Sequence, residues 1–320
     1  MYRVIMVPVD GSAFSREAVF QGLRLARKSG AQLRLVRVAS VAAIPGGPDT
    51  LALESAAWTV ERDNLRAQLY RIAAECKSNS QVDVSATVEE GPIADALRGH
   101  ALRHGVDLIV MATHARRGMA RAFLGSVADQ LIRETGIPVL VVRPPSLATE
   151  LIDGPCYKRI IVPLDGSALA ERSLEPAIAL ARMEHAQLTV LRIVTPDKKT
   201  LAGKAGPTGA SRRQARIDDA EQYLAKVRIA LAGLDLRIHT AVVVAEDIPR
   251  GILGFAQAND EDLIAIATHG RGGIARAIIG SVADRVMSEG LLSMLVVHPA
   301  DLSATNPAVV PLDILPLAMA

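Results

Sequence analysis

Aromatic residues make up only 3% of the 320-residue sequence, and cysteine occurs only twice, at Cys76 and Cys156. Two such isolated cysteines exclude a disulfide framework and a cysteine-based metal cluster. With so few rings, a core drawn from a 50% hydrophobic composition must be aliphatic, as in parallel strands buried on both faces. No charge sign dominates, the formal net charge being +2. The basic stripe with interleaved aromatics of a dedicated nucleic-acid binder is missing, so no nucleic-acid partner is expected. No apolar run reaches the roughly 18 residues needed to span a bilayer, so no membrane role is expected either. The opening Met1-Tyr2-Arg3-Val4-Ile5 is strand-like, without the charged and apolar regions of a signal peptide. A cytoplasmic location is the expectation. Also absent are a G-x-x-x-x-G-K-[ST] loop, a G-x-G-x-x-G after the first strand, a His-rich metal spacing and a nucleophile elbow. An efficient phosphoryl-transfer enzyme and a metal site are therefore not expected.

What is present is a repeat. Val7-Pro8-Val9-Asp10-Gly11-Ser12 recurs as Val162-Pro163-Leu164-Asp165-Gly166-Ser167, at an offset of 155 residues. At the same offset Ala112-Thr113-His114 recurs as Ala267-Thr268-His269, and Leu124-Gly125-Ser126-Val127-Ala128-Asp129 as Ile279-Gly280-Ser281-Val282-Ala283-Asp284. This period is far longer than that of a solenoid, so each copy is a domain. The expected boundaries are 1–145 for the first domain, 146–156 for a linker, 157–299 for the second domain and 300–320 for a tail. The tail's prolines argue against one continuous element. Its apolar residues fit docking and its lack of pattern fits disorder, and both readings stand.

Patterning in the second copy predicts strands at Arg159–Leu164, Gln187–Val194, Leu236–Val244, Leu263–Ala267 and Leu292–Val297. Between them it predicts a helix capped by Ser167 and running to about Glu184, a Gly203–Gly209 loop, a helix over Ser211–Leu231, a short helix over Ile248–Ala258 and a last one opening at Gly280-Ser281. Alternating strands and helices imply an α/β fold with a parallel, doubly wound sheet of five strands per domain. Flavodoxin-like and Rossmann-like strand orders both fit. In either, ligands bind beyond the carboxyl ends of the strands where the order reverses, which points to the ends of strands one and four.

Asp10 and Asp165 follow the first strands directly. A carboxylate there can accept hydrogen bonds from a ribose or base, or can simply brace the Gly-Ser turn and cap the next helix. After the fourth strand the second copy reads Ala267-Thr268-His269-Gly270-Arg271-Gly272-Gly273, then Gly280-Ser281. Gly270 and Gly272 let a phosphate approach main-chain N–H groups. Gly280, Ser281 and Val282 sit at a helix N-terminus, which favours anions. Arg271 and Arg276, with Arg121 in the first copy, can offset phosphate charge. His269 reads as a loop-shaping residue rather than a catalytic one, because no partner is evident.

Together these motifs resemble the universal stress protein family, over nearly the whole chain except linker and tail. The family's first-strand Asp matches Asp10 and Asp165. Its signature of Gly, two residues, Gly, nine residues, Gly, then Ser or Thr falls on Ala112, Ala115, Gly125 and Ser126, and again on Ala267, Gly270, Gly280 and Ser281. The resemblance implies two Rossmann-like domains of the adenine nucleotide alpha hydrolase-like type, packed as an intramolecular pseudo-dimer. It implies ATP or a related adenine nucleotide, with Mg2+ as counter-ion, bound near Pro8, Asp10, Gly11, Ser12, Val38 and Val127 in the first copy. The matching set in the second is Pro163, Asp165, Gly166, Ser167, Ile193 and Val282. It further implies a stress-responsive regulatory role, a homo-oligomer of tandem chains, and at most slow ATP hydrolysis. An interaction protein of the same fold without nucleotide is the alternative.

The chain departs from the signature in both copies. Its first glycine is Ala112 or Ala267, and in the first copy the second is Ala115. If that position needs left-handed backbone, alanine there costs roughly 1–2 kcal/mol. The tighter site is expected in the second copy.

Overall fold

The computed structural model describes residues 2–40, 50–78, 80–112, 125–143, 156–196, 207–268 and 280–298; at 50–57 and 207–209 it describes the helical backbone only. The chain divides into two compact units. Unit 1 runs β1 (Val4–Pro8), α1 (Ala13–Ser29), β2 (Gln32–Ala39), α2 (Thr50–Ser78), β3 (Val84–Glu90), α3 (Ile93–Arg103), β4 (Leu108–Ala112), α4 (Ser126–Thr135) and β5 (Val139–Val142). Unit 2 runs β6 (Arg159–Pro163), α5 (Ala168–Glu171), α6 (Leu174–Glu184), β7 (Gln187–Val194), α7 (Pro207–Leu231), β8 (Arg237–Val244), α8 (Ile248–Ala258), β9 (Leu263–Ala267), α9 (Ser281–Glu289) and β10 (Ser293–Val297).

Within unit 1 the strand order is β3-β2-β1-β4-β5, and within unit 2 it is β8-β7-β6-β9-β10. Each neighbouring pair inside a unit is parallel, as in β1 against β2 (Val4 opposite Gln32) and β1 against β4 (Ile5 opposite Leu108). This is the Rossmann-like order, and it decides between the two the sequence allowed. The order reverses between β1 and β4, and between β6 and β9. Chain direction places α1 and α2 on one face of the first sheet, and α3 and α4 on the other, through right-handed crossovers; α3 packs against α4 accordingly.

The core is aliphatic, as the composition requires. Ile5, Met6 and Val7 of β1 and Ile160, Ile161 and Val162 of β6 are all inaccessible to solvent, so these strands are covered on both faces. Gly22 marks where α1 presses on the sheet: a Cβ there would lie 2.6 Å from Val7 Cγ2. In α7 the buried residues are Ala220, Leu224, Val227 and Leu231, the three-and-four spacing of a helix with one face in the core.

Two expectations need correction. The helix after Ser167 is not continuous to Glu184 but breaks between α5 and α6. Pro176 supplies the reason, since it has no N–H for the carbonyl of Arg172 and its ring would crowd that carbonyl in an unbroken helix. Ser173 fills the break, donating from Oγ to the Ala170 carbonyl at 2.7 Å. The expected Gly203–Gly209 loop also ends early, because α7 begins at Pro207. A proline is well placed at a first helical position, where its missing N–H has no intrahelical partner in any case.

Candidate functional site

In both units the first strand ends in an Asp-Gly-Ser turn. Gly11 has φ +83° and Gly166 φ +84°, a left-handed backbone that glycine adopts without a Cβ penalty. Asp10 Oδ1 accepts from the Ser12 N–H at 2.9 Å, and Asp165 Oδ1 accepts from the Ser167 N–H at 2.9 Å and from Ser167 Oγ at 2.5 Å. Ser12 Oγ accepts from Ser15 N–H and Ser167 Oγ from Ala170 N–H, each at 3.1 Å, capping α1 and α5. The turn-bracing reading of these residues is therefore present in the structure, and it uses one carboxylate oxygen of Asp165. Burial raises the Asp165 carboxyl, but the Ser167 hydrogen bonds and the nearby Arg192 charge outweigh it and hold the group below the usual carboxylate range.

Beyond the ends of the strands lies a cleft in each unit. That of unit 1 encloses about 430 Å³, within the range of small-molecule sites. It brings together Pro8, Asp10, Ser12, Val38, Ala112, Gly125, Ser126 and Val127, all residues picked from the sequence. That of unit 2 encloses about 290 Å³ and brings together Pro163, Asp165, Ile193, Ala267 and Val282. Gly280 and Ser281 stand at the N-terminus of α9. Gly11 and Gly166 shape the turn behind the cleft. Ala115, Arg121, His269, Gly270, Arg271, Gly272 and Arg276 lie outside the described residues.

The helices that follow the fourth strands begin differently from α1. Their N-cap residues are Gly125 and Gly280, and neither helix has a side-chain cap hydrogen bond. Several N–H groups at such an end are left for another acceptor, and with the helix dipole they favour an anion. Among the described residues, a Cβ built on Gly125 would meet no atom within 4 Å. None of the described residues crowds the glycine at this helix end.

Several wall residues were not picked from sequence. Ile93 and Leu97 of α3 line the first cleft, and their counterparts Ile248 and Ile252 of α8 line the second. Arg37 and Arg192, from the second strands, line one cleft each. All three pairs obey the 155-residue offset, so a finer comparison of the copies contains the signal. Among the described residues no group of three or more His, Cys, Asp or Glu is placed to hold a metal ion, and no helix is long and apolar enough to cross a membrane.

Comparison with known proteins agrees with this geometry. The model of the universal stress protein family matches twice, over residues 1–143 and 156–298. A universal stress protein of Mycobacterium tuberculosis is 27% identical over 319 residues, covering 91% of this chain and 94% of its own. One from Methanocaldococcus jannaschii is 29% identical over 148 residues, covering 45% of this chain and 84% of its own. The crystal structure of a universal stress protein from Archaeoglobus fulgidus superposes with a TM-score of 0.68 at 15% identity, covering 93% of this chain and 98% of that one. With two family domains in succession, a parallel Rossmann-like sheet in each and the Asp-Gly-Ser turn at both switch points, the chain belongs to the universal stress protein family.

Proposed function

We propose that the chain binds ATP or a related adenine nucleotide in the switch-point cleft of each unit and acts as a nucleotide-responsive regulatory protein in the stress response. The observation that carries this reading is the helix N-terminus without a side-chain cap at each cleft, with no described residue near where a side chain on Gly125 would sit. Such an end takes a phosphate on its main-chain N–H groups, and Ser126 or Ser281 adds a hydroxyl donor. At the other end of the cleft, the carboxylate of Asp10 or Asp165 accepts from the nucleoside. Val38 or Ile193, with the isoleucine at the start of α3 or α8, gives an apolar surface for the base. Mg2+ would accompany the phosphates as counter-ion. The role is one of holding a ligand, with slow hydrolysis as its catalytic limit, in a cytoplasmic protein that assembles as a dimer of tandem chains.

Acid extraction of the purified protein followed by chromatography tests the reading. Recovery of an adenine nucleotide, or a thermal shift on adding ATP, supports it. Absence of both would favour an interaction protein of the same fold. Because the second copy keeps Gly270 where the first has Ala115, titration should show the tighter site in unit 2; equal affinities would refute that ranking.

A further inference from the structure

In both units an arginine of the second strand lies across the Asp-Gly turn. A Cβ on Gly11 would come within 3.2 Å of Arg37 Nη2, and one on Gly166 within 2.7 Å of Arg192 Nη1. A side chain at either glycine would make the guanidinium shift. The long helix then holds each arginine, by different chemistry at matching positions. In unit 1 Arg37 Nη1 donates to Gln68 Oε1 at 3.1 Å and Nη2 to the Asp10 carbonyl at 3.4 Å. In unit 2 the Arg192 guanidinium sits 5.2 Å from the centroid of the Tyr223 ring, the counterpart of Gln68, and Tyr223 Oη donates to Glu171 Oε1 at 2.7 Å. Two unrelated contacts thus keep one charge in one place.

That charge matters because of what surrounds it. Among the described residues lining the clefts, the acids are Asp10 and Glu61 in unit 1 and Asp165 in unit 2, and the cations are Arg37 and Arg192 alone. Neither guanidinium forms an ion pair among the described residues, and Arg192 Nη1 is buried with no hydrogen-bond acceptor. Arg192 acts through space on the Asp165 carboxylate without being locked to it in an ion pair, and at the effective dielectric of a protein surface such a charge is felt over several ångströms. Over the described walls unit 1 carries two acids against Arg37 and unit 2 one acid against Arg192, so without its arginine each cleft would be one charge more negative and would repel a phosphate more strongly.

We propose that Arg37 and Arg192 are specificity-determining residues that make each cleft prefer a phosphorylated nucleotide over the neutral nucleoside. The inference rests on the nucleotide reading above and assigns the selecting charge to a residue outside the phosphate-binding helix end. Calorimetric titration of the full chain with ADP and with adenosine tests it. In the double variant Arg37→Gln, Arg192→Gln, the ADP-to-adenosine affinity ratio should fall about tenfold, the order expected for losing one positive charge per cleft near an anion. The double lysine variant should restore most of it, since it keeps the charge. An unchanged ratio, with both affinities falling together or neither falling, would overturn the proposal and leave the arginines as turn braces. If the glutamine variant does not fold, Arg37→Met, Arg192→Met keeps the apolar stems and is read the same way. Wild-type protein that binds neither ligand would overturn the nucleotide reading itself.

Discussion

His100 Nδ1 lies 2.7 Å from Glu89 Oε1 on a ring wholly removed from solvent, whereas the matching position in unit 2 is Phe255. Glu89 also accepts from Arg103 Nη2 at 2.7 Å, and the His104 ring lies 4.3 Å away, centroid to centroid. Burial pulls the His100 pKa below the usual imidazole value. The bond to Glu89 opposes this, and His104 and Arg34 add to it. A depressed folded pKa means the unfolded chain binds more protons once pH drops below about 6.5. The contribution of His100 to the stability of unit 1 is thus fully present above that value and is lost as pH falls through the folded pKa. Thermal melts at pH 7.5 and 5.5 should show a smaller acid-induced drop for His100→Gln than for wild type, by roughly 2–4 °C. Parallel pH profiles would contradict this assignment.

Substitution of Gly125 should separate binding from folding. Its φ of −61° and ψ of 150° suit any residue, and no atom of the described residues lies within 4 Å of an added Cβ. Gly125→Val should cost only about 1 kcal/mol, since valine is a poorer N-cap than glycine, while placing a side chain at the N-terminus of α4. Nucleotide affinity of unit 1 should fall at least about tenfold, a loss of about 1.4 kcal/mol. Calorimetric stoichiometry with ADP is the check, and an unchanged unit 1 site would exclude the helix end as the phosphate seat.

Gly166→Ala should do the opposite and strike the fold. It combines a φ of +84° with a 2.7 Å approach to Arg192 Nη1, against +83° and 3.2 Å at Gly11. The left-handed backbone alone costs about 1–2 kcal/mol with a Cβ present. Urea denaturation should find Gly166→Ala destabilised by at least that much, and Gly11→Ala by less. The reverse order would show that contact with the arginine is unimportant.

Asp107 and Asp262, which the offset of the repeat also pairs, tie the entry of β1 and β6 to the loop before β4 and β9. Asp107 accepts from the Arg3 and Val4 N–H groups at 2.8 and 3.1 Å, and Asp262 from those of Lys158 and Arg159 at 2.7 and 2.9 Å. Alanine at either position leaves two amides without these acceptors and should cost about 1–3 kcal/mol. Asparagine keeps one acceptor oxygen and should cost less. Chemical denaturation of the four single variants reads the difference, and equal losses for Ala and Asn would assign the effect to charge instead.

Much of the fold was legible because its signals are local. The strands of β6, β7 and β9 fall where aliphatic runs predicted them, and α8 spans the expected Ile248–Ala258. Those runs report which faces an element buries, and that depends on near neighbours in the chain. The break at Pro176 was equally local, and a stricter weighing of that proline's missing N–H would have found it. The candidate clefts were legible at repeated positions, Asp10 and Asp165 in both clefts and Gly125 in the first. Their walls on α3 and α8 were not, since Ile93, Leu97, Ile248 and Ile252 look like any other apolar helix residues.

The sequence by itself determined that the chain holds two copies of one α/β unit, that their cores are aliphatic, and that an Asp-Gly-Ser turn closes each first strand. Only the tertiary structure decided the β3-β2-β1-β4-β5 order over its alternatives, because strand neighbours are set by how crossover helices pack, not by any strand's own pattern. Only it showed Arg37 lying on Gly11 and Arg192 on Gly166. Those contacts join residues far apart in the chain, and a charged side chain on a strand does not announce in the sequence which turn it covers.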